Sequence, residues 1–172
     1  GTGASAIQFI PQIQPLAIEL LVFQRTAPWV LPKADMQLNA TVKSLVAKFP
    51  MIQQGWRNSV SSILNGINFG LRHPSLHEPV NILSRQLLKL QIQDDSLRKA
   101  VTPNFSIGCK RLLFANNYYP ALQQDNVTLL PQGLVEIDGQ SVIAANGERF
   151  EVDVIIWGTG FEVAHPPIRQ LV

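Results

Sequence analysis

Cysteine is almost absent from this sequence. The single thiol, Cys109, excludes an internal disulfide framework, and the composition fits a reducing, cytoplasmic compartment. Charge is scarce too: Asp, Glu, Lys and Arg make up 15% of the residues and leave a formal net charge of +2. That balance is too small to point to nucleic acid or an anionic membrane as partner. No apolar run approaches the roughly 18–20 residues that span a bilayer, so no membrane span is expected. The N-terminus has no basic segment leading into an apolar one, as a secretory signal would. Three Asn-x-Ser/Thr sequons, at Asn39, Asn104 and Asn126, therefore read as chance. Internal repeats and low-complexity tracts are missing as well. What is present is 46% apolar residue in a chain of 172. That suffices for one domain with a proper core, or a small domain plus an insertion.

The pattern changes twice along the chain. Residues 1–35 read as glycine loop, helix, strand. Ile7, Phe9, Ile10 and Ile13 recur near helical spacing after Ser5. Pro11 should kink or shorten that helix, and Pro15 marks its end. Ala17 to Phe23 is an apolar run of strand length that delivers Gln24-Arg25-Thr26 at its C-terminal end. Residues 36–101 read as a helical insertion. Val42, Leu45, Val46 and Phe49 share one helix face, and Trp56, Val60, Ile63, Leu64 and Ile67 another. Such stripes are expected to be core, with breaks at Asn65-Gly66 and His73-Pro74. Further helix follows from Val80 to Val101, interrupted at Asp94-Asp95, which is expected to cap a helix.

Residues 102–172 begin irregular and aromatic-rich, then turn to strands at Val127 to Leu130, Leu134 to Ile137, Ser141 to Ala144 and Arg149 to Trp157. Asp138-Gly139 and Asn146-Gly147 are tight-turn dipeptides, so part of this stretch is a meander of hairpins. The fold class expected is α/β: a Rossmann-like, three-layer dinucleotide-binding domain with a β-meander, interrupted by the helical insertion.

Few residue groups carry chemistry. Gly1-Thr2-Gly3-Ala4-Ser5-Ala6 fits G-x-G-x-x-A, in which small residues let backbone approach a pyrophosphate at a helix N-terminus. Alone this pattern is weak. Arg25 sharpens it, because the end of the second strand of such a fold meets the adenosine ribose. A carboxylate there accepts the ribose hydroxyls of NAD, whereas an arginine suits the 2′-phosphate of NADP. His73 and His77 are four apart, yet Pro74 stands between them and no third ligand is apparent, so no metal site is expected. Cys109 reads as a small packed residue, and Tyr118 and Tyr119 as packing aromatics.

Taken together, several blocks resemble the Baeyer–Villiger branch of the flavin-containing monooxygenases. They are the glycine loop, Val22-Phe23-Gln24-Arg25-Thr26 with Pro28-Trp29-Val30-Leu31-Pro32, and Ile107-Gly108-Cys109-Lys110-Arg111 with Asn117-Tyr118-Tyr119-Pro120-Ala121-Leu122. The last is Asp153-Val154-Ile155-Ile156 leading to Gly158-Thr159-Gly160-Phe161. They fall in family order and cover essentially the whole chain.

The resemblance implies the NADPH-binding central section of an FAD-dependent enzyme, with residues 102–172 crossing toward an FAD domain. Such an enzyme inserts one oxygen atom of O2 into a small-molecule ketone by way of a C4a-peroxyflavin; some relatives oxidise nitrogen or sulfur instead. NADP(H) and FAD are the cofactors implied, the FAD site mostly outside this chain. Gly1 to Ala6, Arg25, Thr26, Lys110, Thr159 and Gly160 are implied to bind cofactor, and Arg111 to be the catalytic arginine. Two departures stand out. Gly158 replaces the family's usual alanine, with Trp157 before it. The FAD-binding glycine loop and the family fingerprint are expected before Gly1, and a part completing the active site after Val172. The isolated chain is therefore expected to be inactive, or a non-catalytic NADP-binding module.

Overall fold

A strand of four residues, β1 (Leu20–Phe23), lies parallel to β4 (Val127–Leu130), residue for residue, from Leu20 opposite Val127 to Phe23 opposite Leu130. The computed structural model describes residues 1–33 and 38–160, the side chains of Leu71 and Pro74 excepted. Before β1 runs α1 (Ala6–Ile13), followed by a 3-10 turn over Gln14–Leu16. Pro11 lies inside α1 and Pro15 inside the turn, and the helix is held to eight residues. The strand is shorter than the apolar run predicted from Ala17, because its ladder starts only where β4 offers a partner: Leu20 N donates to Asn126 O at 2.8 Å. Ile18 stays 98% exposed.

Asn126 locks this corner. Its amide nitrogen donates to Gln14 O (3.0 Å) and Ala17 O (2.8 Å), and its amide oxygen accepts from Gln14 Nε2 (2.8 Å). We expect Asn126→Ala to lower unfolding free energy by about 2 kcal/mol, since two backbone carbonyls lose their donor at once. A urea midpoint equal to the parent's would show that these bonds contribute nothing net.

A second parallel pair joins β2 (Val30–Leu31) to β3 (Leu113–Phe114). Trp29, buried just before β2, donates its indole N–H to Phe105 O at 3.0 Å. The short α6 (Tyr118–Leu122) then packs on α1. Antiparallel β5 (Leu134–Asp138), β6 (Ser141–Ala144) and β7 (Arg149–Glu151) form the expected meander. Its turns need positive φ, which Gly139 (+60°) and Gly147 (+86°) supply without the steric cost a side chain would add. Phe150 of β7 meets Phe23 of β1 edge-to-face at 6.2 Å, which docks the meander on the parallel pair.

Between β2 and β3 the described chain is helical up to Val101 and irregular beyond it: α2 (Ala40–Lys48), α3 (Pro50–Arg72), a 3-10 turn at Pro74–Leu76, α4 (His77–Gln91) and α5 (Asp95–Val101). Asn39 caps α2 by accepting from Val42 N, and Asp94 caps α5 by accepting from Leu97 N at 2.6 Å. Three expectations are corrected. Asn65-Gly66 does not break α3, which runs through to Arg72; glycine inside an exposed helix costs only about 1 kcal/mol and does not end it. The stripes on α2 and α3 are not core among the described residues. Trp56, Ile63 and Leu64 are each at least half exposed, because no described element covers them. Finally, Val152 to Trp157 is not a strand. It has strand composition, but a strand persists only against a partner's hydrogen-bonding edge.

One core collects most of the elements. Ala6, Ile7 and Ile10 of α1 meet Val22, Val30 and Leu113 from the parallel strands, with Tyr118, Tyr119, Ala121 and Leu122 of α6. The helical region adds Leu88 and Val101 from α4 and α5, with Ile92 between them. The architecture is thus mixed α/β, with two short parallel pairs and a separate antiparallel meander.

Candidate functional site

The glycine loop enters α1 with its carbonyls committed to the helix. Gly3 O accepts from Ile7 N (3.1 Å), and Ser5 O from Gln8 N (3.0 Å) and Phe9 N (3.1 Å). Ala4 O accepts from the Gln8 side chain at 2.9 Å. The amides of a first turn point the other way, toward the loop's open side. Ser5, at the N-cap, makes no side-chain cap bond, so that end keeps its donors.

The two glycines differ in what requires them. A Cβ on Gly1 would sit 2.6 Å from Gly158 O, so the protein's own backbone excludes a side chain there. A Cβ on Gly3 would meet nothing within 4 Å, and Gly3 has no positive φ. Neither packing nor backbone conformation demands glycine at position 3. Ala6, by contrast, is fully buried.

Tertiary contacts bring several of the predicted residues together. Thr2 is buried, and its hydroxyl lies 3.5 Å from Thr26 O, which ties the loop to the end of β1. Gly158 packs against the loop as well: a Cβ there would come within 3.3 Å of Phe9 Cζ and 3.5 Å of Gly1 O. Thr159 and Gly160, the latter at φ +95°, follow directly and are exposed. Beneath the loop, the Tyr118 hydroxyl faces the Thr2 side chain yet completes no hydrogen bond. Burial, reinforced by Tyr119, pushes the Tyr118 phenol well above the ordinary tyrosine range, with Thr2 opposing; burial does the same to Tyr119. Both tyrosines are buried packing groups, as their sequence suggested.

At the end of β1 lies an open cleft of about 230 Å³, lined by Arg25, Thr26 and Ala27 on one side. Lys99, Thr102 and Asn104 line the other. Gln24 also lines it while 98% buried, donating to Ala100 O at 2.9 Å and leaving its own carbonyl oxygen without a partner. Arg25 is exposed and has no carboxylate partner among the described residues. Sequence spacing found Arg25 and Thr26 but not Lys99, Thr102 or Asn104. They lie more than 70 residues further on, and no local signal marks them.

Lys110 and Arg111 stand apart from that cleft lining. Both are exposed, on the turn made by Gly108 (φ +92°) just before β3. The Lys110 ammonium lies 4.6 Å over the ring of Phe105, the residue after Asn104. Cys109 is exposed and free, which corrects the expectation of a packed residue; the positive-φ turn carries it to the surface. His73 is engaged locally, its Nδ1 2.7 Å from Phe69 O. Among the described residues no group of three or more His, Cys, Asp or Glu side chains is placed to hold a metal ion. Nor is any described helix long and apolar enough to cross a membrane.

No family model matches the chain. Curated relatives do. A Baeyer–Villiger monooxygenase of Pseudomonas aeruginosa is 43% identical over 173 residues, covering 100% of this chain and 33% of that protein. Another of the same name, from Streptomyces coelicolor, is 36% identical over 181 residues with the same coverage. The chain thus spans about a third of the length of the curated relatives it matches. Among solved structures, OTEMO in complex with FAD and NADP aligns with a TM-score of 0.75 at 24% identity, covering 94% of this chain and 37% of that one. The open structure of cyclohexanone monooxygenase aligns at 0.73 with 20% identity, covering 94% of this chain and 39% of that one. These likenesses show a shared fold. The chain is thus similar, along its whole length, to a section of about one third of these Baeyer–Villiger monooxygenases.

Proposed function

We propose that this chain is the NADP(H)-binding section of an FAD-dependent monooxygenase that inserts one oxygen atom of O2 beside a ketone carbonyl. Gly3 carries the reading. Glycine is unnecessary there for packing or for φ, and the space beside it is open. A pyrophosphate lying on the loop supplies the missing reason, since a side chain would hold it away from the amides of the first turn.

The residues present fit the cofactor. The uncapped first turn of α1 offers donors to the pyrophosphate. Arg25, with no carboxylate partner among the described residues, lines the open cleft where a 2′-phosphate would lie, and Thr26 is tied to the loop through Thr2. By resemblance Lys110, which stands outside the cleft lining, is a further cation offered to the phosphate, while Thr159 and Gly160 flank the loop where the chain crosses toward an FAD domain. In this reading residues 1–35 and 102–172, of which 34–35 and 161–172 lie outside the described residues, belong to a Rossmann-like domain, and the helices are its insertion. FAD, when bound and reduced, supplies the activation of O2. Arg111 would supply a cation for negative charge on the oxygen being transferred, where a positioned charge acts most strongly.

Gly3→Ala tests the reading. The substitution is expected to leave the melting temperature unchanged or slightly raised, because it restricts the unfolded chain without strain in the native one. NADP+ affinity should fall at least about tenfold, as a methyl group separates pyrophosphate from backbone donors. Parent-like NADP+ binding by a well-folded Gly3→Ala protein would sink the assignment.

A further inference from the structure

Lys99 of α5 lines the cleft at the end of β1 and has no role in the resemblance. We propose that Lys99 is the second cation of the Arg25 cleft, so that the two side chains together clamp a doubly charged phosphate monoester. The proposal deepens the NADP(H) reading and rests on it.

The charge pattern of the cleft comes first. Its lining holds Arg25 and Lys99 and no acidic residue. Neither cation has a carboxylate partner among the described residues, where the ion pairs are Arg98–Asp95 and Arg149–Asp138. Arg98, adjacent to Lys99 on α5, makes the contrast plain. Its guanidinium pairs with Asp95 and donates to Ile92 O (3.0 Å) and Gln93 O (3.3 Å). Of these two neighbouring cations one is committed to the fold and the other is left to the cleft.

The C-terminal end of a helix would ordinarily repel an anion through its free carbonyls. Here three of those carbonyls are occupied. Thr102 Oγ1 donates to Arg98 O at 2.6 Å, Thr102 N to Lys99 O at 3.3 Å, and Gln24 Nε2 to Ala100 O at 2.9 Å. The last of these bonds belongs to the buried side chain at the cleft itself, whose oxygen still lacks a donor. The cleft therefore joins two cations without carboxylate partners among the described residues to a largely masked helix terminus. A phosphorylated ribose carries the complementary anion. Lys99 suits the place as a flexible point charge that follows the phosphate, while Arg25 offers a planar fork. Lys110, with its ammonium over the Phe105 ring, is the competing cation.

Calorimetric titration of the protein with NADP+ and with NAD+ tests this, using Lys99→Met, Lys99→Arg, Lys110→Met and Arg25→Ala. Lys99→Met is expected to weaken NADP+ about tenfold with NAD+ unchanged, the size of one charge-assisted contact. Lys99→Arg should restore most of the loss. Melting curves keep the result readable, since exposed Lys99 can be replaced without disturbing the core. Parent-like NADP+ binding by Lys99→Met, with Arg25→Ala or Lys110→Met impaired, would overturn the role of Lys99 and leave the NADP(H) reading standing. A parent protein that binds NADP+ no better than NAD+ would overturn both.

Discussion

Arg25→Ala is expected to weaken NADP(H) binding by roughly 10- to 150-fold, the range that follows from losing a hydrogen-bonded charge contact of about 1.5–3 kcal/mol. NAD(H), which lacks the 2′-phosphate, should bind about as well as before. The result is clean because Arg25 does no structural work that the described residues reveal: it is exposed and has no carboxylate partner. What aims it is its neighbour. Gln24 is buried and bonded to Ala100 O, and β1 is held in register by β4, so the strand end cannot drift. The NADP+ affinity lost should also depend on ionic strength, since added salt screens an exposed cation. Equal losses for both nucleotides would mean that Arg25 shapes the site rather than reading the phosphate.

Arg111→Ala, made in the full-length protein, should separate the two halves of the proposed reaction. Reduction of FAD by NADPH is expected to proceed near the parent rate, because Arg111 lies outside the cleft that holds Arg25. Product formation should fall at least about a hundredfold, the scale on which one preorganised charge contact stabilises a developing anion. NADPH would then be consumed without oxygenated product. Arg111 is exposed on the turn before β3, so the folded core should survive its removal. Stopped-flow reduction measured beside product analysis gives both numbers on one sample. Oxygenation at the parent rate would take the catalytic role from Arg111.

Much of the local structure was legible because its causes are local. Hairpins at Asp138-Gly139 and Asn146-Gly147 follow from glycine's access to positive φ. Asp94 capping α5, Asn39 capping α2 and the proline-limited α1 depend on neighbours within a few residues. The glycine loop and Arg25 were legible for a related reason: a short helix and strand separate them, and their spacing is set by that unit.

The tertiary structure decided what depends on partners. Periodicity gave α2 and α3 their helical stripes, but whether Trp56 and Ile63 are covered depends on another surface, and no described element supplies one. Val152 to Trp157 has the composition of a strand and no ladder, because pairing is a property of two segments. The cleft shows the same division. The sequence by itself determined the pattern of the resemblance, the glycine loop at a helix N-terminus and an arginine one strand further on. Only folding brought Lys99 and Asn104 to that arginine, since α5 returns to β1 across more than 70 residues through a buried glutamine. Spacing along a chain reports contacts within one unit, and contacts between units exist only once their surfaces have packed.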